Sequence, residues 1–236
     1  MKPKGKLYLI PVPLGEGALA TIPSYVIERL HQLRYLVAER AKSARHFIKS
    51  THPKLALQEL NISELNKRTR PEEVQQLLAP ALAGEDMGLL SEAGCPAVAD
   101  PGAQLVALAH RKGIQVVPLV GPSSILLALM ASGMNGQQFC FHGYLPPKRP
   151  ELASALKRLE QAALRHQQTQ LFIETPYRNK GLIEQALQVL SPKTRFCIAA
   201  DLTLPTEYVQ TLRISEWRKA KLPDLHKRPA IFLIGS

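Results

Sequence analysis

The chain has 236 residues, is 45% apolar, and carries 30 Lys and Arg against 19 Asp and Glu, a net charge of +11 with a pI near 9.7. That apolar share excludes disordered and fibrous classes, and the length admits one large α/β domain or two small ones. Three scattered cysteines (Cys95, Cys140, Cys197) form neither a disulfide framework nor a zinc motif, no metal site is expected, and with no long apolar run or signal-peptide pattern the expectation is a cytoplasmic chain that makes no contact with membrane.

Strands and helices alternate from the start, which predicts an α/β fold with a largely parallel sheet. Lys6–Pro11 reads as the first strand and Tyr35–Ala38 as the second, with a helix between them seeded by Tyr25, Val26 and Leu30. Leu55–Leu57 is a third candidate strand. Pro71–Ala83 has the clearest helical spacing (Val74, Leu77, Leu78, Ala81, Leu82), with Pro71 at its start and Pro80 expected to truncate or kink it. Met87–Leu90 and Gln115–Pro118 read as the next strands. The pattern then restarts: a helix from Gly121 through Ala131, a strand at Phe139–His142, and an amphipathic helix marked by Leu152, Leu156, Leu159 and Ala163. A strand at Thr169–Glu174, a helix around Leu182–Leu190, and strands at Phe196–Ala199, Tyr208–Arg213 and Ile231–Ile234 complete it. The expected layout is an N-terminal α/β domain over 1–118 and a C-terminal α/β domain over 119–236.

The segment from Ser91 to Gly102, Ser-Glu-Ala-Gly-Cys-Pro-Ala-Val-Ala-Asp-Pro-Gly, is the most informative stretch. It leaves a buried apolar strand and enters a helix, and its density of Gly, Pro and small residues presents backbone groups rather than bulky side chains. Ligands in open α/β sheets bind at the carboxyl ends of strands. A rival phosphate loop stands earlier: Gly15-Glu16-Gly17-Ala18-Leu19-Ala20 fits a dinucleotide fingerprint, with Glu39 where a ribose-binding acid would lie. Pro23 argues against that nicotinamide reading, because it interrupts the long helix the fingerprint must open.

The Ser91–Gly102 segment closely resembles the signature of the tetrapyrrole methylase superfamily, the class III S-adenosylmethionine (SAM) methyltransferases. Three further segments align in the same order: Leu7–Gly15, Val116–Ser124, and Phe141–Lys148, the last resembling a motif of the branch that methylates a ribose 2'-hydroxyl of small-subunit ribosomal RNA. The resemblance implies two α/β domains with SAM folded in the cleft between them, held largely by loop backbone. It carries cofactor contacts onto Pro13 and Leu14, onto Ser91, Ala93, Gly94, Pro96 and Asp100, and onto Ser123 and Ser124. In the second half it carries them onto Glu174, Thr175, Tyr177, Ala200, Pro229 and Ala230. A homodimer is a further expectation of the family.

Methyl transfer from an activated sulfonium is mainly a matter of alignment. A ribose hydroxyl is a poor nucleophile and also wants a base or a nearby cation. Glu39 and Asp100 are the candidate carboxylates, and Lys148 and Arg178 the candidate cations. The charge excess suits ribosomal RNA as partner, and Lys148, Arg149, Lys157, Arg158, Arg165 and His166 form its densest cluster. Acceptor-side positions depart from the ribosomal RNA branch: Gly15-Glu16-Gly17-Ala18-Leu19 replaces Gly-Asn-Leu-x-Asp, Glu39-Arg40-Ala41-Lys42 replaces Glu-Asp-Thr-Arg, and Lys227-Arg228-Pro229 replaces Lys-Gly-Glu. A tetrapyrrole or other small acceptor is the alternative reading, and a non-catalytic RNA-binding module stands behind it.

Overall fold

A computed structural model describes residues 3–236, which divide into two compact units, the first ending at Ser123 and the second spanning Ser124–Ser236. The first unit runs β1 (Leu7–Ile10), α1 (Ser24–His31), β2 (Tyr35–Ala38), α2 (Ala41–Ser50), β3 (Asn61–Glu64), α3 (Pro71–Leu77), α4 (Ala79–Leu82), β4 (Met87–Leu90), α5 (Gly102–Arg111) and β5 (Val116–Pro118). Its sheet is parallel throughout, in the order β3-β2-β4-β1-β5. Parallel strands buried on both faces read as continuous apolar runs, as Leu7-Tyr8-Leu9-Ile10 does. Leu7, Val37, Met87 and Leu89 pack on one side with Val74, Leu78 and Leu105, while Tyr8, Ile10 and Leu36 pack on the other with Val26, Leu30 and Ile48.

Two expectations are corrected here. Leu55–Leu57 is not a strand: the chain makes a 3-10 turn at Leu57–Glu59 and pairs at Asn61–Glu64 instead. That strand lies at the sheet edge and is mostly exposed, so backbone pairing to β2 holds it without an apolar pattern to announce it. The Pro71–Ala83 helix is split at Leu78, because Pro80 lacks the N–H that would continue the ladder.

The second unit runs α6 (Ser124–Ser132), β6 (Phe139–Tyr144), α7 (Arg149–His166), β7 (Thr169–Glu174), α8 (Asn179–Val189), β8 (Arg195–Ala200), β9 (Tyr208–Arg213), α9 (Ile214–Trp217) and β10 (Ala230–Gly235). Its sheet order is β6-β7-β10-β8-β9. Only β6 and β7 are parallel; β10 lies antiparallel to both β7 and β8, and β9 antiparallel to β8. The expected largely parallel sheet therefore holds for the first unit and not the second. The β8–β9 connection is too short for the crossover that parallel pairing needs. Phe172, Phe232 and Phe196 stack across three neighbouring strands, at centroid spacings of 5.9 and 6.0 Å, beneath α7 and α8.

The division after Ser123 lies a few residues beyond position 118 for a visible reason. Leu119 N–H donates to the carbonyl of Leu9, Val120 N–H donates to the Tyr25 hydroxyl at 3.0 Å, and Gly121 sits against the Pro11 ring, where a β-carbon would come within 2.2 Å. The segment after β5 thus stays bound to the first unit.

Candidate functional site

Three loops of the first unit leave the carboxyl ends of β1, β4 and β5 and meet at Gly94. Val12 and Gly94 exchange both backbone hydrogen bonds, each 3.0 Å, so the loop carrying Pro13 and Leu14 is zipped to the one carrying Ser91, Ala93 and Pro96. Gly94 has φ +72°, and a β-carbon there would lie 3.1 Å from the Leu14 side chain and 3.2 Å from the Pro122 carbonyl. Glycine is required on both counts, conformation and space. Ser91 Oγ donates to the Gly94 carbonyl at 2.8 Å and closes the turn. The Cys95 thiol donates to the Pro122 carbonyl at 3.5 Å and ties in the third loop, which leads to Ser123 and Ser124. Burial pushes that thiol up and so keeps its proton in place.

The rest of the signature is shaped by Asp100. Its Oδ1 accepts from Ala97 N–H at 2.9 Å and Gly102 N–H at 2.7 Å. This staple holds Ala97 and Ala99 at φ +66° and +60°, a conformation alanine does not choose unaided. Burial raises the Asp100 carboxyl above its ordinary value; the two amides pull it back in part, and the charge of Glu39 adds to the rise. The outcome is a loop with Ala93, Val98 and Ala99 exposed. Small side chains there leave main-chain groups open.

The two candidate carboxylates therefore differ. Asp100 is committed to loop backbone. Glu39, half-buried just past the end of β2, makes no hydrogen bond or ion pair among the described residues, and its field reaches Asp100. Ser43 Oγ donates to Glu92 at 3.0 Å and Ala41 N–H to Glu64 at 2.8 Å, so the start of α2 is anchored beside Glu39 by other acids.

In the second unit the register brings Glu174, Ala230 and Ala200 to the same level of three adjacent strands. Thr175 and Tyr177, Asp201, and Pro229 follow or precede them in the loops at that edge. Glu174 is buried and accepts from Thr175 N–H and from the Arg178 guanidinium, whose Nε lies at 2.9 Å. Asp201 holds Arg228 at 2.7 Å and Thr206 at 2.8 Å, and its N–H donates to the Pro229 carbonyl. Tyr177 is 72% exposed and meets His226 edge-on at 6.0 Å. Lys148 is exposed and lies 3.8 Å from Glu151.

Several organising residues went unread in the sequence. Tyr25 and Cys95 join loops through their side-chain hydrogens or oxygens, and nothing in their spacing signals it. The Glu174–Arg178 pair does carry a signal, opposite charges four residues apart. No cluster suited to a metal occurs among the described residues.

Residues 6–217 match the model of the tetrapyrrole (corrin/porphyrin) methylases. A protein named ribosomal RNA small subunit methyltransferase I from Escherichia coli O157:H7 is 31% identical over 217 residues, spanning 90% of this chain and 71% of that one. Its namesakes from Vibrio cholerae (29%; 89% and 69%) and Streptococcus pyogenes serotype M6 (30%; 91% and 71%) are similar to the same degree. Among solved structures, the methyltransferase CobJ superposes with TM-score 0.64 at 19% identity, covering 98% of this chain and 94% of that one. A Thermus thermophilus uroporphyrin-III C-methyltransferase complexed with S-adenosylhomocysteine does so with TM-score 0.55 at 18% identity, covering 98% of each. The chain belongs to the tetrapyrrole (corrin/porphyrin) methylase family and, with it, to the SAM-dependent methyltransferases.

Proposed function

We propose that this chain methylates a ribose 2'-hydroxyl of small-subunit ribosomal RNA. The convergence of three small-residue loops on Gly94 carries the cofactor half of this reading. The names of its relatives, together with the +11 charge, support the acceptor half. The donor set fits SAM: open main-chain groups around Ala93 and Ala99, with apolar Leu14 and Val98 beside them. Pro13, Leu14, Ser91, Ala93, Gly94, Pro96 and Ser123 are the proposed contacts in the first unit, with Ser124 at the start of the second, and Asp100 shapes their loop. Glu174, Thr175, Tyr177, Ala200, Pro229 and Ala230 are proposed for the same cofactor from the second.

Bound SAM supplies a methyl group already activated on sulfonium. Glu39 is the proposed general base: it would take the proton from the 2'-hydroxyl as that oxygen bonds to the methyl carbon, while the methyl–sulfur bond breaks and S-adenosylhomocysteine leaves. The chain is left with a protonated Glu39 that returns its proton to water. Lys148 is the proposed cation beside the acceptor phosphates. A homodimer working in the cytoplasm completes the reading.

Calorimetry with SAM and S-adenosylhomocysteine tests the cofactor, and failure of both to bind folded protein at millimolar concentration refutes it. Mass mapping of small-subunit RNA from cells with and without the protein tests the acceptor. A 2'-O-methyl group that disappears with the protein is the expected result. An unchanged map would move the search to small-molecule acceptors. Sedimentation showing a monomer at micromolar concentration would remove the homodimer.

A further inference from the structure

The second unit has an open groove of about 870 Å³ along α7, lined by Arg158, Leu159, Ala162, Leu164, Arg165 and, from edge strand β6, His142. Arg158, Gln161 and Arg165 fall on one exposed stripe of the helix, and seven residues separate the two arginines by ~10 Å along its axis. Neither arginine has an ion-pair partner among the described residues. The acid on this part of α7, Glu160, is committed elsewhere: it accepts from Ser191 N–H at 2.7 Å and from the Thr194 hydroxyl. Lys157 adds to the uncompensated charge. The floor is apolar, with Leu164 52% exposed, and the His142 ring is held by Gln170 at 2.7 Å.

We propose that this groove binds a single-stranded segment of the RNA substrate, away from the sheet edge of this unit that carries Glu174. The inference rests on the RNA reading above and names a second contact for it. Two unpaired guanidiniums at this spacing suit neighbouring phosphates, while the apolar floor and an oriented imidazole suit an unstacked base. A duplex offers its phosphates but no unstacked base. The topology separates the groove from the cofactor contacts proposed within this unit. Helix α7 crosses from β6 to its parallel neighbour β7, so Arg165 and His166 lie toward the amino end of β7, opposite the edge where Glu174 sits.

The test compares the wild-type chain with Arg158→Ala/Arg165→Ala, using a fluorescent single-stranded RNA of small-subunit sequence, and follows SAM affinity as the check on folding. Lys219→Ala/Lys221→Ala, exposed on the same unit, removes equal charge away from the groove. The groove variant is expected to bind RNA about tenfold to a hundredfold more weakly, with a log–log salt slope smaller by ~1.4 and SAM affinity unchanged. The control variant should change little, and Arg158→Lys/Arg165→Lys should restore most of the slope. Equal losses in the groove and control variants would reduce the effect to net charge and overturn the proposal. So would RNA affinity unaltered in the groove variant while wild type still methylates RNA. A wild-type chain that neither binds nor methylates RNA would refute the parent reading and this one with it. Photocrosslinks from α7 to a protein of the small subunit rather than to RNA would assign the groove to a different partner.

Discussion

The loops that meet at Gly94 and the strand edge at Glu174 are built from opposite materials. The first joins mainly through backbone: a two-way bridge between Val12 and Gly94, a serine and a thiol donating to carbonyls, and a carboxylate accepting from amides. The second is held by ion pairs, Glu174 with Arg178 and Asp201 with Arg228. A backbone site tolerates changes of charge and fails when a side chain intrudes. A site made of buried ion pairs tolerates small changes of shape and fails when one partner is removed.

The largest effect should come from intrusion at the first. Gly94→Val must place a branched side chain at φ +72°, against Leu14 and the Pro122 carbonyl. Left-handed strain and overpacking together should cost about 4 kcal/mol. SAM affinity should fall more than about tenfold, because the loops can no longer meet. Thermal unfolding and calorimetry read the two effects. Wild-type affinity in this variant would show that the convergence has nothing to do with the cofactor.

Removal of an ion-pair partner should act next, at the second region. Arg178→Ala leaves Glu174, whose side chain is 2% exposed, without its cation, and the expected loss is about 3 kcal/mol. Glu174→Gln should cost less, about 1 kcal/mol, because Arg178 is 40% exposed and regains water. Denaturant unfolding of both variants checks the asymmetry. Equal losses would mean that the pair behaves as a surface bridge.

Glu39→Gln tests chemistry instead of construction. Its carboxylate supports no hydrogen bond among the described residues, so melting temperature and SAM affinity should hold while kcat falls about a hundredfold. Unchanged kcat would move the base elsewhere.

Much of this contrast was legible in the sequence, for physical reasons. Buried parallel strands announce themselves as apolar runs, so β1, β2 and β4 were read nearly to the residue, and the Gly-Pro-small loop after β4 marked a region where backbone matters. The edge strand at Asn61–Glu64 carries no such mark, since its pairing uses only main-chain groups and every side chain but that of Ile62 is exposed. Strand direction in the second unit was unread because apolar alternation is blind to direction; only the short β8–β9 loop hinted at it. The different duties of Glu39 and Asp100 were equally invisible. Whether a carboxylate accepts two amides or none is decided only when the loop closes around it.

The smallest effect is expected where a charge is exchanged for its isostere inside the backbone site. Asn offers the same Oδ1 to the amides of Ala97 and Gly102, so Asp100→Asn should keep the loop and SAM affinity, with stability within about 0.5 kcal/mol of wild type at neutral pH. Asp100→Ala removes the acceptor, strands both amides, and should cost about 2 kcal/mol. The pH dependence separates burial from hydrogen bonding. Because burial raises the folded carboxyl above its ordinary 3.8, the folded chain holds that proton more tightly than the unfolded one. The proton-linked part of Asp100's contribution to stability is then fully present below that pH and is lost as pH rises through the folded value. Melts of wild type and Asp100→Asn, run from acid to neutral pH, should show wild type losing ground across that window and a constant difference above it. A wild type that gains on the variant with rising pH would mean that the two amides outweigh burial, and that the loop is held by the charge itself.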